Sequence, residues 1–209
     1  MSEIMNIKKD EWAIVLDFLM HGYYGMQRSQ PVAQVIGDEY FSLLEIIVRD
    51  GVTVKIGDRV YIGDGKRDHV KYIKRKLEFK DLTGASKEEL EDTVKNLIDK
   101  NEKKFLDFFN KAGPITTRLH QLELLPGIGK KHLWAILSER KEKSFETFDD
   151  LKKRVSLLPD PKRMVVKRVM DEIEDKDKYR IFVPRFEKHH FEDQGGEKAQ
   201  PNFNPHRQM

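Results

Sequence analysis

Two stretches of this chain repeat one another, and the repeat limits the possible folds more than any other feature. "LLPGIGKKHLWAILSE" (124–139) lies over "LLPDPKRMVVKRVMDE" (157–172) at a constant shift of 33 residues, from Leu124 to Leu157. Leu124, Leu125, Pro126 and Glu139 fall on identical residues, and Leu133 and Ile136 fall on Val166 and Val169. A lone hairpin of short helices cannot bury its apolar face, whereas a second copy completes a core. Between the copies, "FETFDDLKKRV" (145–155) predicts a short helix mirroring "ITTRLHQLEL" (115–124). Residues 115–174 therefore read as four short helices in two hairpin-linked pairs, with "YRIFVP" (179–184) as a closing strand.

Ahead of this unit the hydrophobic period is different. "WAIVLDFL" (12–19) and "YFSLLEIIV" (40–48) are rich in β-branched and aromatic residues. "VTVKIGDRVYIG" (52–63) alternates around a Gly57-Asp58 hairpin signal, and "HVKYIKRKLEF" (69–79) alternates again. Several short strands punctuated by Gly51, Gly57, Gly63 and Gly65 predict a small OB-like β-barrel. After Asp81 the period becomes helical. Ser86 and Glu89 stand at capping-box spacing, and Leu90, Val94, Leu97, Ile98, Phe105, Phe108 and Phe109 form one stripe. A single long helix ending at Gly113-Pro114 is expected, with its seven acids and six lysines on a solvated face. The fold class is thus α+β. A barrel domain covers 1–82, a bracing amphipathic helix 83–113, the doubled helical domain 114–184 and a disordered tail 185–209.

Composition narrows the function classes. Charged residues make up 36% of the chain, against a usual share of about 25%. Such enrichment fits a surface that meets nucleic acid or a network of ion pairs. The net charge is only +3, so any basic footprint is local. The absence of cysteine excludes disulfides, thiolate metal sites and iron–sulfur clusters. The charged N-terminus lacks an apolar signal core, and "WAIVLDFLM" is too short to span a bilayer. A cytoplasmic protein without membrane contact is expected.

The sharpest chemistry lies in the first hairpin. Gly127 and Gly129 permit backbone angles that other residues avoid and let another backbone approach closely. A helix starting near Lys130 leaves the amides of Ile128, Gly129 and Lys130 as free N–H groups at its positive end, an anion cradle that includes Gly127, with Lys130 and Lys131 adding charge beside it. A phosphate fits that cradle. With these residues in view, "LPGIGKKHLWAIL" resembles the helix–hairpin–helix motif of DNA- and RNA-handling proteins, whose hairpin grips the phosphate backbone without reading sequence. The longer run "NKAGPITTRLHQLELLPGIGKKHLWAIL", with "GDRVYIG" ahead and "LPDP" behind, resembles an archaeal family catalogued as a domain of unknown function and credited with nucleotide binding. That resemblance covers residues 11–183. It implies a small β-barrel followed by tandem helix–hairpin–helix units, and no reaction.

The second copy departs from the motif. Asp160 and Pro161 stand at the positions of Gly127 and Ile128, and Lys162 replaces Gly129, so this copy reads as mainly structural. Its surroundings, 151–168, still carry seven basic residues against one acid, either a solvated face or a source of attraction. The barrel has a second basic stretch, "KRDHVKYIKRKLEFK" (66–80), with seven Lys/Arg against two acids and with Tyr72 and Phe79 interleaved. Those aromatics are either core or stacking platforms. Arg59, Lys74, Arg75 and Lys76 are the candidate barrel contacts.

Enzyme readings are weaker. Glycosylases that carry this hairpin place a lysine where Lys131 stands and an aspartate near Asp149, a nucleophile and carboxylate able to act on a sugar carbon. "FETFDDLKKRV" fits the internal repeat better. "GDGKRD" (63–68) fails as a P-loop, since Val60 replaces the first glycine and Arg67 the Ser/Thr. His189 and His190 lie beside acids in the tail, where a solvated segment outweighs a metal site. The expectation is a non-enzymatic protein without cofactor or metal that binds the RNA or DNA phosphate backbone, RNA ahead of DNA. The alternative is a protein-docking adaptor in a ribosome-associated, translation or DNA-repair assembly.

Overall fold

The computed structural model describes residues 9–25 and 29–185. Five strands form one antiparallel sheet: β1 Trp12–Leu19, β2 Val32–Gly37, β3 Leu43–Val48, β4 Arg59–Tyr61 and β5 Val70–Lys76, in the order β4-β1-β2-β3-β5. The register skips Leu16 on β1 and Lys71 and Lys74 on β5, and these bulges bend the strands. The sheet curls into a half-barrel. Val60 from one edge and Val70 from the other join Ala13, Val15, Ala33, Val35, Leu44 and Ile46 in a single cluster inside the curl. Small and β-branched side chains suit that tight interior.

One strand is unexpected, and one expectation changes. "VAQVIG" pairs as β2 in the middle of the sheet, although buried Gln34 interrupts its apolar pattern. The Gly57-Asp58 turn does not join two strands of its own. Gly57, at φ +86°, donates its N–H to the Val15 carbonyl at 2.8 Å, and the Val15 N–H donates to the Asp58 carbonyl at 2.9 Å, so the turn docks on β1.

The helices are α1 Gly84–Lys100, α2 Glu102–Lys111, α3 Lys130–Glu142, α4 Phe148–Arg154 and α5 Pro161–Ile173. The single long helix expected over 86–113 is thus two. It starts early because Thr83 is its N-cap, with Oγ1 accepting from the Ser86 N–H at 3.1 Å. It breaks at Asn101, whose side-chain amide donates to the Leu97 carbonyl at 3.1 Å and competes with the helical ladder. The helix expected over 115–124 is absent. Its backbone makes a tight turn, Ile115 N–H to Leu119 carbonyl at 2.8 Å, followed by one 3-10 turn at Gln121–Leu124. Thr116 Oγ1 accepts from Leu119 N–H at 3.1 Å and holds the bend.

One core links sheet and helices. Ile14, Leu16, Ile36 and Leu43 on the outer face of the sheet meet Leu90, Val94 and Ile98 of α1 and Phe105 and Phe109 of α2. The same cluster continues through Leu133 and Ile136 of α3 and Val165 and Val169 of α5. Each fully buried aliphatic side chain contributes about 1.5–3 kcal/mol. The closing strand expected at 179–184 is an irregular segment instead. Its amides at Ile181, Phe182 and Val183 donate to the buried Glu172 carboxylate at 2.8–2.9 Å, which takes those three away from a ladder. No helix among the described residues is long and apolar enough to cross a membrane.

Candidate functional site

The first hairpin is built from inside out. Leu122, Leu125 and Ile128 are buried at a spacing of three residues, each turn tied by a backbone bond: Leu125 N–H to Leu122 carbonyl at 3.1 Å, Ile128 N–H to Leu125 carbonyl at 3.2 Å. Gly127 sits at φ +88°, where side chains are strained, and a Cβ there would lie 3.1 Å from Pro159 Cγ of the second copy. Gly129 is different. Its φ is −95°, an added Cβ would meet nothing within 4 Å, and it is the N-cap of α3. Gly127 therefore shapes the loop, while Gly129 keeps its mouth bare.

The helix start that follows carries no side-chain cap. The first helical bond runs from Leu133 N–H to the Gly129 carbonyl at 2.9 Å, so the amides preceding Leu133 lack intrahelical acceptors. They include the expected Gly129 and Lys130 amides and add those of Lys131 and His132, which are not among the expected groups, while the expected Ile128 amide is already engaged by Leu125 and drops out.

The lysines beside the cradle divide in the same way. Lys130 folds back on the 3-10 turn, its ammonium 2.8 Å from Glu123 Oε1 and 3.1 Å from the Arg118 carbonyl. The Lys130 hydrogen bond, then the His120 N–H, holds the Glu123 carboxyl below the usual range. Burial, then the Arg140 charge, pulls His120 down, matching its neutral Nδ1 accepting from Leu122 N–H at 3.2 Å. Lys130 thus braces the hairpin from outside, whereas exposed Lys131 makes no ion pair among the described residues. An open hollow of about 530 Å³ flanks the loop, bordered by Glu123, Asp171 and Asp177. Those carboxylates make the hollow a poor bed for a phosphate.

The barrel candidates are not assembled at the hairpin. Arg59 pairs with Asp38 at 2.7 Å and lies over the Trp12 ring at 4.4 Å. Lys74 and Arg75 converge on Glu45, which is fully buried, at 2.7 and 3.3 Å. Lys76 is held below the usual lysine range by burial and then by the Arg180 charge. Phe79 packs on the main core beneath Lys87, and half-buried Tyr72 lies opposite Ile47 with its hydroxyl 3.5 Å from Gln30 Oε1.

A feature missed in the sequence explains these pairings. Asp17, Gln34, Glu45 and Arg75 stand opposite one another on four neighbouring strands, a polar row across an apolar sheet. Tyr23 donates to Glu45 at 2.7 Å, and burial followed by that contact pushes its hydroxyl up to about 12. Desolvation works against the Glu45 charge, but Lys74, Tyr23 and Arg75 outweigh it and hold its carboxyl low. Thr83, which caps α1, donates to Asp17 at 2.7 Å, and its N–H donates to Gln34 at 2.9 Å. The row fastens α1 to the sheet. Its only sequence signal is one polar residue inside each of three apolar strands, Asp17, Gln34 and Glu45. No cluster of three potential metal ligands occurs among the described residues, and His189 and His190 lie outside them.

Comparison with known proteins gives the lineage. A family model described as a protein of unknown function, DUF655, matches residues 9–184. The uncharacterised protein MJ0038 of Methanocaldococcus jannaschii is 42% identical over 178 residues, covering 84% of this chain and 81% of that protein. The crystal structure of Af1531 from Archaeoglobus fulgidus, itself assigned to DUF655, superposes with a TM-score of 0.76 at 46% identity, covering 84% of this chain and all of that one. The chain therefore belongs to the DUF655 family of uncharacterised archaeal proteins.

Proposed function

We propose that the protein binds the phosphate backbone of nucleic acid without reading sequence and without catalysing a reaction on it. The observation that carries this is the uncapped start of α3, where the bare Gly129 and the amides after it meet the positive helix end beside unpaired Lys131. Each charge-assisted hydrogen bond from such an amide to a phosphate oxygen contributes about 1.5–3 kcal/mol. The finer description of the fold, an OB-like barrel joined to a tandem helix–hairpin–helix unit, belongs to this proposal. The curled antiparallel sheet and the doubled loop–helix pattern support it, although the first pair opens with a 3-10 turn instead of a helix. RNA stands ahead of DNA, because small barrels commonly meet single strands or structured RNA.

The test is a titration of single- and double-stranded RNA and DNA at several salt concentrations, with wild type and Gly129→Glu. The proposal predicts that the logarithm of the affinity falls linearly in log salt, with binding lost in a variant whose circular dichroism is unchanged. Absence of wild-type binding to all four ligands would refute it. The adaptor alternative draws on Leu157, whose side chain is 79% exposed at φ +59°. An apolar docking contact there would respond little to salt.

A further inference from the structure

Of the two tryptophans in this chain, only Trp12 has an evident structural role, edge-on to Tyr61 with centroids 5.1 Å apart and covered by Arg59. Trp134 lies on α3, one turn beyond the cradle, and is 66% exposed. The same helix seats Leu133 and Ile136 in the core, which fixes the outward face. On that face, at helical spacings of three, four and seven residues from Trp134, stand Lys130, Lys131, Ser138 and Lys141, all exposed. Lys131 and Lys141 make no ion pair among the described residues, so the indole is flanked along the helix by uncompensated positive charge. A large aromatic left in water between two free cations contributes nothing to the core.

Its chemistry fits one occupant. A strand whose phosphate rests at the start of α3 passes Trp134 about 6 Å further along the axis, at the level of the adjoining base. We infer that Trp134 is a stacking platform for an unpaired base, and that the preferred ligand of this surface is a single strand. A duplex keeps its bases stacked on one another and offers the indole no face, while Lys131 and Lys141 attract both forms. This inference rests on the proposed backbone grip and adds the strandedness of the ligand.

The experiment compares full-length wild type, Trp134→Ala, Trp134→Phe and Gly129→Glu by fluorescence anisotropy. The probes are a labelled oligouridylate, a labelled oligothymidylate and a labelled mixed-sequence duplex. Circular dichroism establishes that each variant is folded. Trp134→Ala is expected to lose roughly tenfold in single-strand affinity, with duplex affinity and the salt slope unchanged, while Trp134→Phe keeps most of the binding. If Gly129→Glu abolishes binding but Trp134→Ala binds single strands like wild type, the stacking platform is overturned and the backbone grip stands. An equal loss on single strands and duplex also overturns it. Wild type that binds none of the probes overturns both.

Discussion

The two copies of the repeat begin their second helices in opposite ways. In the first, Gly129 caps α3 with no side chain, and the amides at its start have no intrahelical acceptor. In the second, Asp160 caps α5, its carboxylate accepting from the Arg163 N–H at 2.9 Å, and Pro161 at the first helical position has no N–H to offer. Two sealing devices occur on one copy and neither on the other. The start of α5 also comes early: α3 begins at Lys130 and α5 at Pro161, a shift of 31 residues, although the buried pairs keep the shift of 33. Equal cores with unequal helix starts separate two tasks. The second copy is the support, and the first presents a surface.

The support is strongest where α5 reaches the first hairpin. Arg168, 3% exposed, pairs with Glu172 at 2.7 Å and donates to the Leu124 carbonyl at 3.2 Å. Replacing Glu172 with Ala leaves that guanidinium without its buried partner and frees three amides at 181–183. Urea denaturation is expected to show a loss of about 3–5 kcal/mol. A cost below about 1 kcal/mol would remove α5 from the role of support.

The contact between the loops comes next. Gly127→Ala puts a Cβ into left-handed backbone and within 3.1 Å of Pro159. The expected cost is about 1–2 kcal/mol, read from the same denaturation curves. Gly129→Ala, with open space and an ordinary φ, is expected to cost less, and equal costs would erase the distinction between the two glycines. On the second copy, Asp160→Ala removes a cap and is expected to cost about 1 kcal/mol without changing nucleic-acid affinity. A fall in affinity there would mean that the sealed start also takes part in binding.

The sequence was most legible where the signal was local. The change from alternation to helical period, the hairpin glycines and the sealed second copy all depend on residues close in the chain. What escaped was set by distant partners. β2 is central, yet Gln34 breaks its pattern because Thr83 and Tyr23 satisfy it from elsewhere in the fold. Lys74 and Arg75 look like a free basic patch until Glu45, brought over from β3, is placed between them. Lys130 seemed a ligand for phosphate, but Glu123, seven residues back, holds it. The failed helix at 115–124 has a local cause, the Thr116 turn, hidden by an apolar spacing that also suits a helix.

The most direct measurement uses Gly129→Asp, which copies the seal of the second copy onto the first. Nothing lies within 4 Å of the new Cβ, and the extended backbone of Gly129 suits a capping aspartate. If the open start of α3 is the phosphate grip, stability rises by a few tenths of a kcal/mol while affinity for a single-stranded oligonucleotide falls at least about tenfold. A folded variant that binds as tightly as wild type would contradict the account.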